Sequence, residues 1–360
     1  MPHKNVVLLI HGMGSFAKTS DQALGEFGQS FITSINKGLQ QFSGFKERKI
    51  EDYVDLVEFN YSVFFDEMRN KMAEKSQTIQ ARLAAISGAG DISSMTATLI
   101  GLDKNFGSDK MFYTHWLDVI FYTTLLGNSI RVSLGKQIAQ LVQNYGQDKV
   151  HIIAHSLGTA VLHDTLHLLY RPESDPSNVF ENLNIGEHKL KSISMIANVS
   201  RILNHFNHLT SPYSSIVKPG IAGCTNSFLN IHHELDPFTW LSRFDPPQNG
   251  SWISEVDYEN CYGDIQTRVV LEPNTHSFTG YVEDPLVTVP LLYLLIEEFD
   301  VKQSEILAIK QQYAEHAKDA VRDITDTVFK DLVKSDIQHW SNWLDTAKAL
   351  QTAAQLIQHL

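Results

Sequence analysis

The sequence predicts an α/β protein with a mostly parallel sheet of about six strands and helices on both faces. Short apolar runs alternate along the chain with longer segments whose apolar residues recur at intervals of three and four. This alternation is typical of units in which a helix connects two parallel strands. The clearest unit begins at Lys149, where an apolar run leads through a sharp turn into a helical stripe.

Six short apolar runs are the predicted strands. They span residues 6–10, 53–61, 150–153, 190–199, 227–233 and 266–271. Amphipathic patterns predict helices over residues 21–42 and 129–145, and the apolar segment 285–299 is predicted to be helical as well. A further helix follows Ser156 and ends at Arg171, because the residue before Pro172 is pushed out of the α region. We therefore expect residues 1–300 to form one α/β domain, with a loop over residues 244–264.

Residues 62–128 are an insertion in this pattern. A crossover between parallel strands needs only one helix, which residues 129–145 already supply. The second half of the insertion is rich in aromatic and aliphatic residues, which must be buried or line a ligand site. We interpret the insertion as a helical cap or lid in which Trp116 and Phe121 contact the substrate. Packing as further core helices is the alternative.

Residues 301–360 continue with apolar residues at spacings of three and four, interrupted at Ser335-Asp336. They predict a C-terminal extension of two amphipathic helices. Packing of these helices on the main domain is one interpretation, and a surface for self-association is the other.

Composition disfavours several classes of function. The net charge of the 360 residues is −12, and no cluster of Lys and Arg offers a surface for nucleic acid. No window is long and apolar enough for a transmembrane segment, and the apolar run at residues 6–10 is too short for a signal peptide. Cys224 and Cys261 are the only cysteines, so one disulfide is the alternative. A large core does not need it, which favours two reduced thiols in a cytoplasmic protein.

The turn after the third predicted strand contains Ser156. Strand and helix come very close in such a turn, so small residues are needed two before and two after the serine. Ala154 and Gly158 occupy those positions. The pattern indicates a nucleophile elbow, where the helix N-terminus also directs N–H groups at a developing oxyanion. The alternative is that Ser156 is only the N-cap of the helix.

The first predicted strand leads directly into His11-Gly12-Met13. Glycine allows a tight turn and close backbone approach here. We interpret this segment as an oxyanion loop in which the N–H of Met13 is one donor; the alternative is an ordinary turn between strand and helix. His11 itself is expected to be structural.

A serine hydroxyl needs an adjacent histidine, which in turn needs a carboxylate. Asp236 and His276 each follow a predicted strand, in the chain order serine, acid, histidine. Pro237 keeps Asp236 out of a helix. We predict Asp236 as the acid in preference to three other candidates, which are Glu234, Asp257 and Asp264.

Taken together, these motifs resemble the α/β-hydrolase superfamily, in particular its lipase- and esterase-like members. They are HGMGS at 11–15, AHSLG at 154–158, ELDP at 234–237 and THSFTGY at 275–281. The resemblance implies a serine esterase without cofactor or metal, acting on a small-molecule or lipid ester. It implies Ser156 as nucleophile, His276 as base and Asp236 as acid, with the amides of Met13 and Leu157 forming the oxyanion hole. The chain departs from the family in Ala154, where glycine is commoner, and in lacking strands before the first one.

Other functions stay open. The same triad could serve a thioesterase or an amidase, and a hydrolase fold could act as a binding scaffold without catalysis. His163 and His167 have the spacing of a zinc site on a helix, but we expect both to be exposed to solvent. His232 and His233 are successive strand residues and point to opposite faces, which disfavours a shared metal ion.

Overall fold

The computed structural model describes residues 4–13, 24–65, 122, 126–171, 182–201, 211–240, 243–271 and 274–316. The chain divides into two compact units. The first consists of Met1–Gly12, Phe16–Asn60 and Gly127–Ile324, and the second of Met13–Ser15, Tyr61–Leu126 and Thr325–Leu360.

The first unit contains a six-stranded sheet in which all neighbouring strands are parallel. The strands are β1 (Asn5–Ile10), β2 (Val54–Phe59), β3 (Val150–His155), β4 (Leu190–Ile196), β5 (Thr225–His233) and β6 (Tyr262–Thr267). Their order in the sheet is β2-β1-β3-β4-β5-β6. The chain therefore reverses its direction across the sheet between β1 and β3, and ligands of open α/β sheets bind beyond the carboxyl ends of strands at such a point.

Helices follow most of the strands. They are α1 (Glu26–Leu39), α2 (Gly127–Tyr145), α3 (Leu157–Tyr170), α4 (Pro237–Trp240), α5 (Glu255–Cys261), α6 (Phe278–Glu283) and α7 (Pro285–Leu295), and residues 303–316 form α8. Two 3₁₀ turns, Ser43–Phe45 and Ile50–Asp52, precede β2.

The sheet separates two apolar layers. On one face, Val7, Ile153 and Ile231 pack in one cluster with apolar residues of α1, α6 and α7. Successive strand residues point to opposite faces, so the buried Leu8 and Ile152 belong to the other face. There α2 and α3 contact β1 and β3. The prediction of a parallel sheet with helices on both faces is therefore confirmed.

The last strand differs most from its prediction. It was expected at residues 266–271, but β6 spans Tyr262–Thr267, and α5 lies inside the predicted loop 244–264. The strand is at the edge of the sheet and only its first and last residues are buried. A half-exposed edge strand needs no continuous apolar run, so the apolar residues that follow it gave the stronger signal.

The insertion and the C-terminal extension are described only in part. Within the second unit, Tyr61, Phe65 and Tyr122 are buried, and the rings of Tyr61 and Phe65 meet edge to face. Trp116 and Phe121 lie outside the described residues, as does the extension beyond residue 316. In α8, Ile306 is buried and Ile309 packs against the core of the first unit.

The described residues contain neither a membrane-spanning helix nor a disulfide. Among them, no helix is both long and apolar enough to cross a membrane. Cys224 and Cys261 are both free thiols.

Candidate active site

Ser156 lies between β3 and α3 with backbone angles that few side chains adopt. Its φ is 52° and its ψ is −126°. Strained angles of this kind cluster at functional sites, and they are expected of a nucleophile elbow. The Ser156 N–H donates to Ile196 O at 2.9 Å, and Ser156 O accepts from the Thr159 hydroxyl at 2.6 Å. Thr159 Oγ1 also accepts from Val199 N–H, which joins the elbow to the segment after β4.

Two glycines make the close approach at the elbow possible. A Cβ on Gly158 would lie 2.3 Å from His11 O and 2.9 Å from Ile10 O, so backbone atoms exclude any side chain there. A Cβ on Gly12 would lie 2.8 Å from Ser156 Cβ. The segment after β1 therefore passes directly against Ser156, at the reversal of strand order.

The structure brings Ser156 and His276 into hydrogen-bond contact although they are 120 residues apart in sequence. The distance between Ser156 Oγ and His276 Nε2 is 2.7 Å. On the other side of the ring, His276 Nδ1 lies 2.8 Å from Asp236 Oδ2. A carboxylate only accepts, so Nδ1 carries the proton and Nε2 is free to accept the proton of Ser156. This is the tautomer that a serine–histidine–aspartate triad requires.

Asp236 is fully buried, and hydrogen bonds satisfy both oxygens of its carboxylate. Oδ1 accepts from Phe238 N–H at 3.0 Å, and Oδ2 accepts from both His276 and the Tyr281 hydroxyl. The three competing acids have other partners, since Glu234 pairs with Arg268, Asp257 accepts from Ser254, and Asp264 accepts from Asn230.

Tyr281 is the residue of this site that sequence reasoning missed. Its hydroxyl donates to Asp236 Oδ2 at 2.7 Å and accepts from His233 N–H at 2.8 Å. Burial and the neighbouring Asp236 raise the pKa of Tyr281 well above its usual value. The only available signal was its presence in the THSFTGY motif, because nothing in the spacing connects it to Asp236.

Several contacts hold the segment that carries His276. His155 Nε2 donates to His276 O at 3.0 Å, and His276 N–H donates to Asn274 Oδ1. The Thr275 hydroxyl donates to Leu235 O at 2.9 Å, which ties this turn to the one that contains Asp236. Only 12% of the His276 side chain is exposed. Hydrogen bonds thus fix both the imidazole ring and the backbone of His276.

The two predicted oxyanion donors fall in different units. Leu157 is the first residue of α3, so its N–H has no acceptor within the helix, and its role as an oxyanion donor stays a prediction. Met13 begins the second unit, and its role as a donor stays a prediction.

No protein-family model matches the sequence, and no curated protein is significantly similar to it. The chemistry of the site must therefore be inferred from the contacts of its own side chains.

The histidines of α3 contradict the sequence-based expectation. His163 and His167 are buried, because every residue of α3 is buried and the helix has no solvent face. His167 Nδ1 contacts the Ser215 hydroxyl, and Asp164 lies 3.8 Å from the guanidinium of Arg131. Among the described residues, no group of three or more His, Cys, Asp or Glu side chains could hold a metal ion.

Proposed function

We propose that this protein is a serine hydrolase of the α/β-hydrolase type that cleaves carboxylic esters, lipid esters included, through an acyl-enzyme intermediate. The observation that carries the proposal is the hydrogen-bonded series Ser156 Oγ, His276 Nε2, His276 Nδ1 and Asp236 Oδ2, with contacts of 2.7 and 2.8 Å. The positive φ of Ser156 and its place at the reversal of strand order add support.

In the first half of the reaction, Ser156 Oγ attacks the ester carbonyl and His276 Nε2 takes the hydroxyl proton. The Oγ–C bond forms, and the carbonyl oxygen becomes an oxyanion that the predicted donor, the Leu157 N–H, stabilises. The bond to the alcohol then breaks as Nε2 returns the proton to the leaving oxygen. Asp236 stabilises the imidazolium throughout without taking its proton.

In the second half, a water molecule attacks the acyl carbon and gives one proton to His276 Nε2. The carboxylic acid leaves as that proton returns to Ser156 Oγ. Neither half needs a cofactor, because serine, histidine and water supply every atom and proton that is transferred.

The deciding experiment is labelling of the purified protein with a fluorophosphonate, followed by mass spectrometry of the modified peptide. We expect modification of Ser156 and no other serine. Ser156→Ala should abolish labelling and lower kcat for p-nitrophenyl butyrate by at least about 10⁴-fold while the protein stays folded. Ser194→Ala is the matched control, since Ser194 is also buried near the end of a strand.

A folded protein that is neither labelled nor hydrolyses any ester would favour the binding scaffold instead. The ester, thioester and anilide of butyric acid separate the three reactions that the triad could serve. We expect the ester to be the best of the three, and faster thioester or anilide cleavage would reassign the substrate class.

A further inference from the structure

We propose that Tyr281 is a positioning residue of this site, which holds the Asp236 carboxylate in the orientation that His276 requires. This inference rests on the proposed function. Tyr281 touches neither Ser156 nor His276 through its hydroxyl, so its effect must pass through Asp236. Its hydroxyl lies 2.7 Å from Asp236 Oδ2, the oxygen that also accepts from His276.

The direction of the Tyr281 hydroxyl proton follows from its second partner. His233 N–H can only donate, so the hydroxyl oxygen accepts from it at 2.8 Å. The single proton of the hydroxyl is therefore left for Asp236 Oδ2. His233 is the last residue of β5, so the end of this strand holds the Tyr281 hydroxyl in place.

Three donors from different parts of the chain then define the plane of the Asp236 carboxylate. Phe238 N–H in α4 fixes Oδ1, while Tyr281 in α6 and His276 in the preceding turn converge on Oδ2. Without Tyr281, His276 would be the only donor to Oδ2, so the carboxylate would keep its contact with His276 but lose the second restraint on its orientation. Because Asp236 is fully buried, bulk solvent does not reach the carboxylate to replace the lost donor.

Local structure makes Tyr281 rigid relative to His276. The two residues are separated by the start of α6, whose N-cap is Ser277. Tyr281 itself is 2% exposed and packs among Ile231, Phe278 and Val282 in the core. The hydroxyl therefore cannot follow a moving carboxylate, and it selects one orientation of it.

Loss of the hydroxyl should change the pH dependence of catalysis as well as its rate. A carboxylate that loses a donor holds a protonated histidine more strongly, so a higher pH is needed to free the base. The other titratable side chains whose rings lie near Tyr281 are His155 and His233, at centroid distances of 6.4 and 6.3 Å. Loss of the hydroxyl removes the acceptor of the His233 backbone N–H but no contact of either imidazole ring.

The experiment measures the rate of fluorophosphonate labelling and kcat for p-nitrophenyl butyrate from pH 5 to 9 in wild type and Tyr281→Phe. We expect the midpoint of the ascending limb to move to higher pH and kcat to fall about tenfold, the factor expected for one lost hydrogen bond to a charged group. KM should stay within about twofold, since uniform substrate binding is unchanged.

Tyr170→Phe is the matched control. Tyr170 is also buried and donates one hydrogen bond, to His188 O, but it lies at the opposite end of α3 from Ser156. A purely structural role of Tyr281 would give both variants a lower thermal stability and the wild-type pH profile, and that result would overturn the inference. In that case Ser156 would still be labelled, so the proposed function would stand. Absence of labelling in the wild type would instead overturn both.

A second replacement guards against misfolding of Tyr281→Phe. Site-specific replacement of Tyr281 by 3-fluorotyrosine keeps the ring and strengthens the hydroxyl as a donor. The ascending limb should then move in the opposite direction, to lower pH. An unchanged profile in this folded variant would also contradict the inference.

Discussion

At the scale of single residues, Asp236 is the side chain whose assignment is easiest to test. It lies 2.8 Å from His276 Nδ1, whereas Glu234 two residues earlier is exposed and pairs with Arg268. Asp236→Asn should lower kcat on the order of 10⁴-fold, because an amide supports neither the required tautomer nor the imidazolium. Hydrolysis of p-nitrophenyl butyrate measures this change.

Glu234→Gln is the control for that substitution and should keep near-normal turnover. The opposite pattern, an active Asp236→Asn enzyme beside an inactive Glu234→Gln enzyme, would move the acid to position 234. Circular dichroism must show that both variants are folded for either result to count.

The sequence could predict Ser156, Asp236 and His276 because each has a distinctive chemistry and an expected place after a strand. Tyr281 could not be predicted in the same way. A buried tyrosine in a helix is an ordinary core residue, and its hydroxyl gains a role only from His233 and Asp236, which tertiary structure brings to it. The three side chains that meet at this site can thus be selected from the sequence, whereas the tyrosine that contacts Asp236 cannot.

At the scale of elements, the elbow between β3 and α3 depends on the absence of a side chain at Gly158. Alanine is usually the better residue in a helix, by about 1 kcal/mol. Here its Cβ would meet His11 O at 2.3 Å and force β1 away from α3. Gly158→Ala should therefore lower the free energy of unfolding by about 2 kcal/mol or more and strongly reduce labelling of Ser156.

Urea denaturation checks that prediction, with Gly44→Ala as its control. A Cβ on Gly44 would meet no atom within 4 Å, so that change should be neutral or slightly stabilising. If Gly158→Ala were as stable and as reactive as Gly44→Ala, the close packing of the elbow would not be required.

Element boundaries were predictable where burial is complete and unpredictable where it is not. All residues of β1 and β3 are buried, and both strands lie within two residues of their predicted bounds. The edge strand β6 has mixed burial and was expected four residues too late. The burial of His163 and His167 in α3 was also not predictable. The apolar stripe of a helix shows which face packs on the core, but not whether other elements cover the opposite face as well.

At the scale of the whole molecule, the burial of His151 makes stability depend on pH. His151 lies within β3, and its Nδ1 contacts the Ser192 hydroxyl at 2.7 Å. Burial lowers the pKa of His151 from 6.5 to about 3. The unfolded chain therefore binds more protons than the native protein between these values. The contribution of neutral His151 to the free energy of unfolding has its full value above about pH 6.5 and is lost as pH falls toward 3.

Urea denaturation at a series of pH values checks this prediction. His151→Gln, which can keep a hydrogen bond to Ser192, should flatten the dependence by a few kcal/mol between pH 6.5 and 3. Asp284 has the opposite effect on stability, because burial raises its pKa to about 6 and its contribution to the free energy of unfolding grows as pH falls below that value. The same denaturation series on Asp284→Asn measures this contribution. Equal slopes in wild type and His151→Gln would contradict the assignment to His151.

The parallel strand order also has a kinetic consequence. In the sheet, β1 lies between β2 and β3, so Val6 must find Val150 after most of the first half of the chain has been made. Pairing of segments that are distant in sequence costs loop-closure entropy before the new contacts stabilise the chain, so such chains fold slowly. Ser156, Asp236 and His276 meet only when β3, β5 and the segment after β6 have all docked. We therefore expect fluorophosphonate to label Ser156 only in chains in which these three segments have docked, so that labelling would report on the folding of each molecule.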